Sequence, residues 1–124
     1  MTDALFEITK SATFDAAHHL NNGPADSPYR RLHGHSFKVE ATVRGPVVEP
    51  AGWVEDLAAL DGALRAVAAE LDHSFLNDHE ELKTPTLEHL CLFFAGRLKP
   101  RFPGLSRIQV SRPTIGETCA LVVE

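Results

Sequence analysis

The sequence predicts an α+β fold, with one antiparallel sheet carrying two helices on one face. Three observations point there. Residues 5–14 and 35–44 alternate apolar and polar side chains with a period of two, the mark of half-buried strands. Residues 57–71 and 87–98 repeat apolar side chains at steps of three and four, as amphipathic helices do. Two short strands over roughly 105–111 and 117–123 close the chain and give the element order ββααββ.

In the first strand, LFEITKSATF, residues Phe6, Ile8, Ala12 and Phe14 share one parity. The connection NNGPADSPYR is rich in turn formers and long enough to lie over the strand ends. Phe37, Val39, Ala41 and Val43 then alternate with Lys38, Glu40, Thr42 and Arg44 in the second strand. After GPVVEPAGW the first helix carries Leu57, Leu60, Leu64, Val67 and Leu71 on one stripe, and Gly62 weakens it without breaking the pattern. The second helix opens at TPTLEH, where Thr84 suits the cap, Pro85 the first turn and Glu88 the positive end of the dipole. Leu87, Leu90, Cys91, Phe94 and Leu98 form its apolar stripe, and RPTIG separates the last two strands. An antiparallel sheet of this kind has two edges that must be blunted, covered or paired, so an oligomer that extends the sheet into a barrel is expected.

No repeat or linker divides the 124 residues, and a chain of this length forms a single domain, 1–124, with its own core. Apolar residues at 44% and charged residues at 23% match an ordinary globular protein. Seventeen acidic against twelve basic residues give a net charge of −5, which argues against a large nucleic-acid footprint. An anionic small molecule stays possible where Arg and Lys cluster. The stretch MTDALFEITK lacks the pattern of a signal peptide, and no window reaches the length of a membrane span. With two cysteines outside any CxxC spacing, these features predict a cytoplasmic protein with free thiols and no membrane partner.

The segment RRLHGHSFKV sets His33 and His35 on one face of a strand, with Gly34 between them leaving room for another segment or a ligand. Taken alone, such a pair reads more readily as a chance pairing on a solvated strand. FDAAHHL, at the end of the first strand, supplies His18 and His19, and a hairpin between the two strands brings one of them within reach of His33 and His35. Three imidazoles with a fourth position open describe a catalytic rather than a structural zinc site. A second cluster, ELDHSFLND, places Asp72 beside His73. An aspartate can orient an imidazole as a general acid or base. The same pair at a helix C-terminus can instead simply complement the dipole.

Together, FDAAHHL, RLHGHSFKV, LDHSFLND, TPT followed by Glu88, and the terminal GETCALVV resemble the 6-pyruvoyltetrahydropterin synthase and 6-carboxytetrahydropterin synthase family, the latter being the queuosine-pathway enzyme, over essentially the whole chain. The resemblance implies a T-fold, with subunits forming trimeric barrels that stack into hexamers and active sites lying between subunits. It places the zinc ligands on His18, His33 and His35, with His19 flanking, and a proton relay on Asp72 and His73. The implied substrate is a pterin, 7,8-dihydroneopterin triphosphate. Zinc there polarises side-chain oxygens, proton transfers shift the double bonds and triphosphate leaves; the carboxy branch also breaks a carbon–carbon bond and releases acetaldehyde.

One position departs from the family. Where its members carry a catalytic cysteine shortly before HGH, this chain reads DSPYRRLHGH, which puts Tyr29 there, or Ser27 by the animal-type spacing. A free cysteine thiol ionises near about 8.5 and a tyrosine near about 10, so the replacement is not equivalent. The family's pterin-gripping glutamate corresponds to Glu117 by the GET match, whereas alignment along the preceding strand puts Arg112 at that place. A carboxylate accepts two parallel hydrogen bonds from a guanidine-like edge and Arg has no acceptor, which favours Glu117. The sequence thus leads to a zinc-dependent pterin lyase, with a pterin-binding homologue without that activity as the alternative.

Overall fold

A computed structural model describes residues 4–124; Met1–Asp3, part of the stretch read above for a leader, lie outside it. The first strand, β1, runs Phe6–His18, and β2 runs His33–Gly45. Helix α1 spans Leu57–Leu71, followed by a two-residue strand β3 at Ser74–Phe75. Helix α2 spans Leu87–Leu98, and β4 (Leu105–Arg112) and β5 (Glu117–Val122) complete the chain. The strand order across the sheet is β3-β1-β2-β4-β5. Every pairing is antiparallel except that of β3, which lies parallel to the end of β1 through Ala16↔Ser74 and Ala17↔Phe75.

The expected ββααββ order holds with one addition. Strand β3 is too short for any alternation to reveal, and it forms because the chain leaving α1 lies along the outer edge of β1. The first strand runs four residues beyond the expected end and the second starts two residues earlier, so all of 15–18 pairs with 33–36. A second difference concerns α2. Thr86, not Thr84, is the cap, its hydroxyl accepting from the His89 N–H at 3.2 Å. Pro85 therefore precedes the cap instead of opening the first turn.

Both helices pack on the face formed by Ala12, Phe14, Ala16, Phe37, Val39, Ile108 and Val110, where the buried apolar residues of sheet and helices form one cluster. Asp56 caps α1 through its side chain, which accepts from the N–H groups of Ala58 and Ala59. On this inner face the rings of Phe14 and Phe37 stack with centroids 4.9 Å apart. The opposite face is polar, as in the contact between the Thr9 and Thr42 hydroxyls at 2.8 Å. Among the described residues, the outer edge of β1 carries no strand beyond the two residues covered by β3, and neither does the outer edge of β5. No helix is long and apolar enough to cross a membrane among the described residues.

Phe37 is 1% exposed and sits between this core and the histidines at the sheet's end. Phe37→Ala is expected to lower unfolding free energy by about 3–5 kcal/mol, read from urea denaturation, while the urea dependence keeps its slope.

Candidate active site

The end of β1, the start of β2, the end of β4 and the start of β5 meet at one end of the sheet. Antiparallel pairing puts His18 directly across from His33, and His35 across from Ala16. All three histidines share the parity of Phe14 and Phe37, so they extend the core face past the last apolar ring. Their rings stand edge to face, with centroids 4.6 Å apart for His18 and His33, 5.0 Å for His18 and His35 and 4.7 Å for His33 and His35. One ligand atom from each can be chosen so that all lie within 4.8 Å of one another.

The main chain sets the tautomers. His18 Nδ1 donates to the Pro85 carbonyl at 3.1 Å, and His33 Nδ1 donates to the Arg31 carbonyl at 2.6 Å. A carbonyl only accepts, so each Nδ1 carries the hydrogen and neutral rings leave Nε2 bare. The two Nε2 atoms face each other at 3.1 Å. Burial, assisted by the positive neighbourhood, pushes the His18 pKa down to about 4, against the raising effect of the Pro85 bond. His35 is also lowered, by burial first and then by the Arg112 charge. Two bare nitrogens held face to face repel unless a cation lies between them, and nitrogens sharing a tetrahedral zinc are about 3.3 Å apart. The donor set, its tautomers and its spacing fit a divalent metal.

The histidines open into a cavity of about 400 Å³ that is also lined by Tyr29, Arg31, Arg112 and Glu117. Tyr29 lies on a short 3-10 turn, Pro28–Arg30, and its carbonyl accepts from the Leu20 N–H at 2.7 Å, pinning the long connection over the strand ends. Ser27 caps that turn by accepting from the Tyr29 N–H at 3.3 Å and does not line the cavity. Of the two positions aligned with the family cysteine, Tyr29 alone borders the cavity. Arg112 and Glu117, weighed above as alternatives, are cross-strand partners. Arg112 Nε stands 2.8 Å from Glu117 Oε1, an ion-pair contact without hydrogen-bond alignment.

Asp72 and His73 lie elsewhere within the chain. They follow α1 and are tied to β1: the Asp15 N–H donates to Asp72 Oδ1 at 2.9 Å, and the His73 N–H donates to the Asp15 carbonyl at 2.7 Å. His73 Nδ1 is 3.0 Å from Asp72 Oδ2, which leaves Nε2 as the nitrogen outside that contact. The bond from Asp15 first, and His73 second, hold the Asp72 carboxyl below the usual range, and Asp72 in turn raises the His73 pKa. His73 has φ 57°, a left-handed conformation unusual for a residue other than glycine and common at working sites. Its ring is 82% exposed and lines a second cavity of about 650 Å³, which His35 and Gly34 also border. His19 flanks both. Its N–H donates to Asn77 Oδ1 while Asn77 Nδ2 donates to its carbonyl, and its ring lies 5.7 Å from Phe75. The carbonyls of Pro85, Arg31 and Asp15, invisible to a side-chain motif, complete the support.

A five-stranded sheet carrying two helices on one face, with three histidines converging at the strand ends, is a T-fold. Residues 7–124 match the 6-pyruvoyl tetrahydropterin synthase family, and the chain is a member of it. A Pyrococcus furiosus dihydroneopterin monophosphate aldolase is 34% identical over 97 residues, covering 78% of each chain. A Synechocystis 6-carboxy-5,6,7,8-tetrahydropterin synthase is 34% identical over 118 residues, covering 90% of this chain and 86% of that one. The solved Caenorhabditis elegans 6-pyruvoyl tetrahydropterin synthase shares the fold, with a TM-score of 0.83 at 23% identity, over 98% of this chain and 97% of that one.

The bond between Asp72 and His73 sets the sign of a titration. With the carboxylate present, His73 keeps its proton to higher pH than a free histidine. Any stability the pair adds is complete below the unfolded histidine pKa and lost as pH rises through the raised one. In Asp72→Asn the His73 pKa should fall toward 6.5, followed by histidine NMR signals across a pH series.

Proposed function

We propose that this protein is a zinc-dependent pterin lyase of the 6-pyruvoyl/6-carboxytetrahydropterin synthase type, acting on 7,8-dihydroneopterin triphosphate or a related pterin phosphate. The observation that carries the reading is the pair of bare Nε2 atoms, 3.1 Å apart, at the floor of a cavity lined by Tyr29 and Glu117. His18, His33 and His35 would hold the metal, which as a Lewis acid stabilises negative charge developing on side-chain oxygens of the substrate. Glu117 accepts hydrogen bonds from the pterin's amino and ring N–H groups and sets the depth of the ring. Asp72 fixes the His73 tautomer, so that Nε2 takes a proton from the substrate side chain and returns it at a neighbouring carbon. Tyr29 lines the cavity from the sequence position that the family's cysteine takes.

Within one chain the relay opens into its own cavity, so the reading needs an assembly. Trimers or hexamers that pair the open edges of β1 and β5 would bring the exposed His73 of one subunit toward the histidine cavity of the next. Light scattering at micromolar concentration should then give a mass several times the 13.6 kDa chain; a monomer would contradict the shared site.

One observation favours a second reading, a pterin-binding homologue without this activity. Neither cysteine reaches the cavity: Cys91 Sγ is buried 3.4 Å from the Cys119 carbonyl, and burial raises its thiol pKa to about 12. Incubating the zinc-loaded protein with 7,8-dihydroneopterin triphosphate and identifying all products by mass separates the two. On the enzyme reading, His33→Ala or His35→Ala loses metal and activity together, and His73→Ala keeps the metal but loses roughly 10²-fold or more in rate. Cys91→Ser and Cys119→Ser stay active, and Tyr29→Phe reports whether the phenol takes part. Binding of pterin with no turnover in any form would establish the second reading.

A further inference from the structure

Arg112 is 13% exposed in its side chain, and its guanidinium lies over the Phe37 ring with Cζ 5.9 Å from the centroid. Among the described residues Glu117 is the one carboxylate within ion-pair distance, and the contact engages Nε while Nε finds no aligned acceptor. The two residues face each other across the four-residue turn Pro113–Gly116, on the same sheet face as the histidines, and both line the histidine cavity. A largely buried cation thus stands beside a half-exposed carboxylate that it contacts through Nε, and both side chains line the cavity.

The chemistry of the wall has a pattern. A carboxylate offers two acceptors and a guanidinium offers donors in a fixed fork. Side by side they present acceptor, acceptor, donor. A 2-amino-4-oxopteridine edge presents the complement in one line: the 2-amino N–H, the ring N3–H and the 4-carbonyl oxygen. Glu117 alone reads only the first two and senses position 4 indirectly, through N3, which carries a hydrogen beside a 4-oxo group and none in a neutral 2,4-diamino ring.

Building on the reading of the cavity as a pterin site, we propose that Arg112 is a specificity-determining residue. A terminal N–H of its guanidinium donates to the 4-carbonyl oxygen of the ligand, and its Nε side holds the Glu117 carboxylate in register for the 2-amino and N3 hydrogens. The cavity therefore selects the 2-amino-4-oxo edge as a unit. A neutral 2,4-diamino ring is refused on two counts: its 4-amino group sets donor against donor at Arg112, and its bare N3 sets acceptor against acceptor at Glu117. The ligand's phosphate plays no part in this contact.

The test is direct binding, by fluorescence or calorimetry, of two unphosphorylated ligands to the full-length protein: 6-hydroxymethylpterin and its 2,4-diamino analogue, above the analogue's ring pKa. The unaltered chain should prefer the pterin by about 10–100-fold, the worth of a hydrogen bond to a charged group. Arg112→Met should weaken pterin binding by about 10-fold or more, the worth of the lost charged hydrogen bond, and leave the analogue no weaker, so that the preference narrows to what Glu117 enforces at N3. Arg112→Lys, which keeps the charge and guards against a fold defect, should retain part of the lost preference. Equal weakening of both ligands in Arg112→Met, or a preference that survives it undiminished, overturns the proposal. Loss confined to a phosphorylated pterin would overturn it too, making Arg112 a phosphate contact. Failure of the unaltered protein to bind pterin at all would instead remove the pterin reading on which the proposal rests.

Discussion

The pairing of His18 with His33 across β1 and β2 is the constraint on which the rest depends. Thirteen residue pairs run in unbroken antiparallel register from Phe6↔Gly45 to His18↔His33. Shifting that register by one residue would turn every inner side chain of one strand outward, removing Phe37 from the core and His33 and His35 from the histidine cluster in the same step. Burial of Phe14, Phe37 and Val39 therefore fixes the geometry of the chemistry at no separate cost in ordering. The long connection, the cap of α2 and the loop after α1 then close over a strand end whose positions are already decided.

Charge is distributed in keeping with that plan. A net charge of −5 belongs to the chain as a whole, yet the walls around the histidines carry Arg31 and Arg112 against Glu117. Local excess of cations over anions, next to neutral imidazoles, favours an anionic visitor in spite of the acidic surface. The Asp72 and His73 pair is arranged differently. Asp72 accepts a main-chain N–H and turns its other oxygen to an exposed imidazole, so one carboxylate joins the edge of the sheet to a solvent-facing ring.

The sequence revealed the layers and most of the site because both rest on periodicity. Alternation placed Phe37 inward and His33 and His35 with it, and the stripe of α2 correctly consigned Cys91 to the core. What stayed hidden depends on three-dimensional closure. The DAAHH end of β1 lacks β-branched residues and is held extended by β2 on one side and β3 on the other, so pattern alone stopped the strand at Phe14. Had the parity been carried on through Ala16, it would have separated His18 from His19. Arg112 and Glu117 read as rivals for one role when each was aligned to a motif; the tight hairpin between them makes them neighbours. The left-handed backbone of His73 has no signature in residue type.

Two of the three histidine rings are steered by peptide carbonyls, those of Pro85 and Arg31. Every residue type has such a carbonyl, so the support for these imidazoles is written in the path of the chain and not in its letters. Positions 31 and 85 can drift in side chain while the rings keep their aim. An insertion of a single residue in either loop, harmless by composition, would do what few substitutions there could.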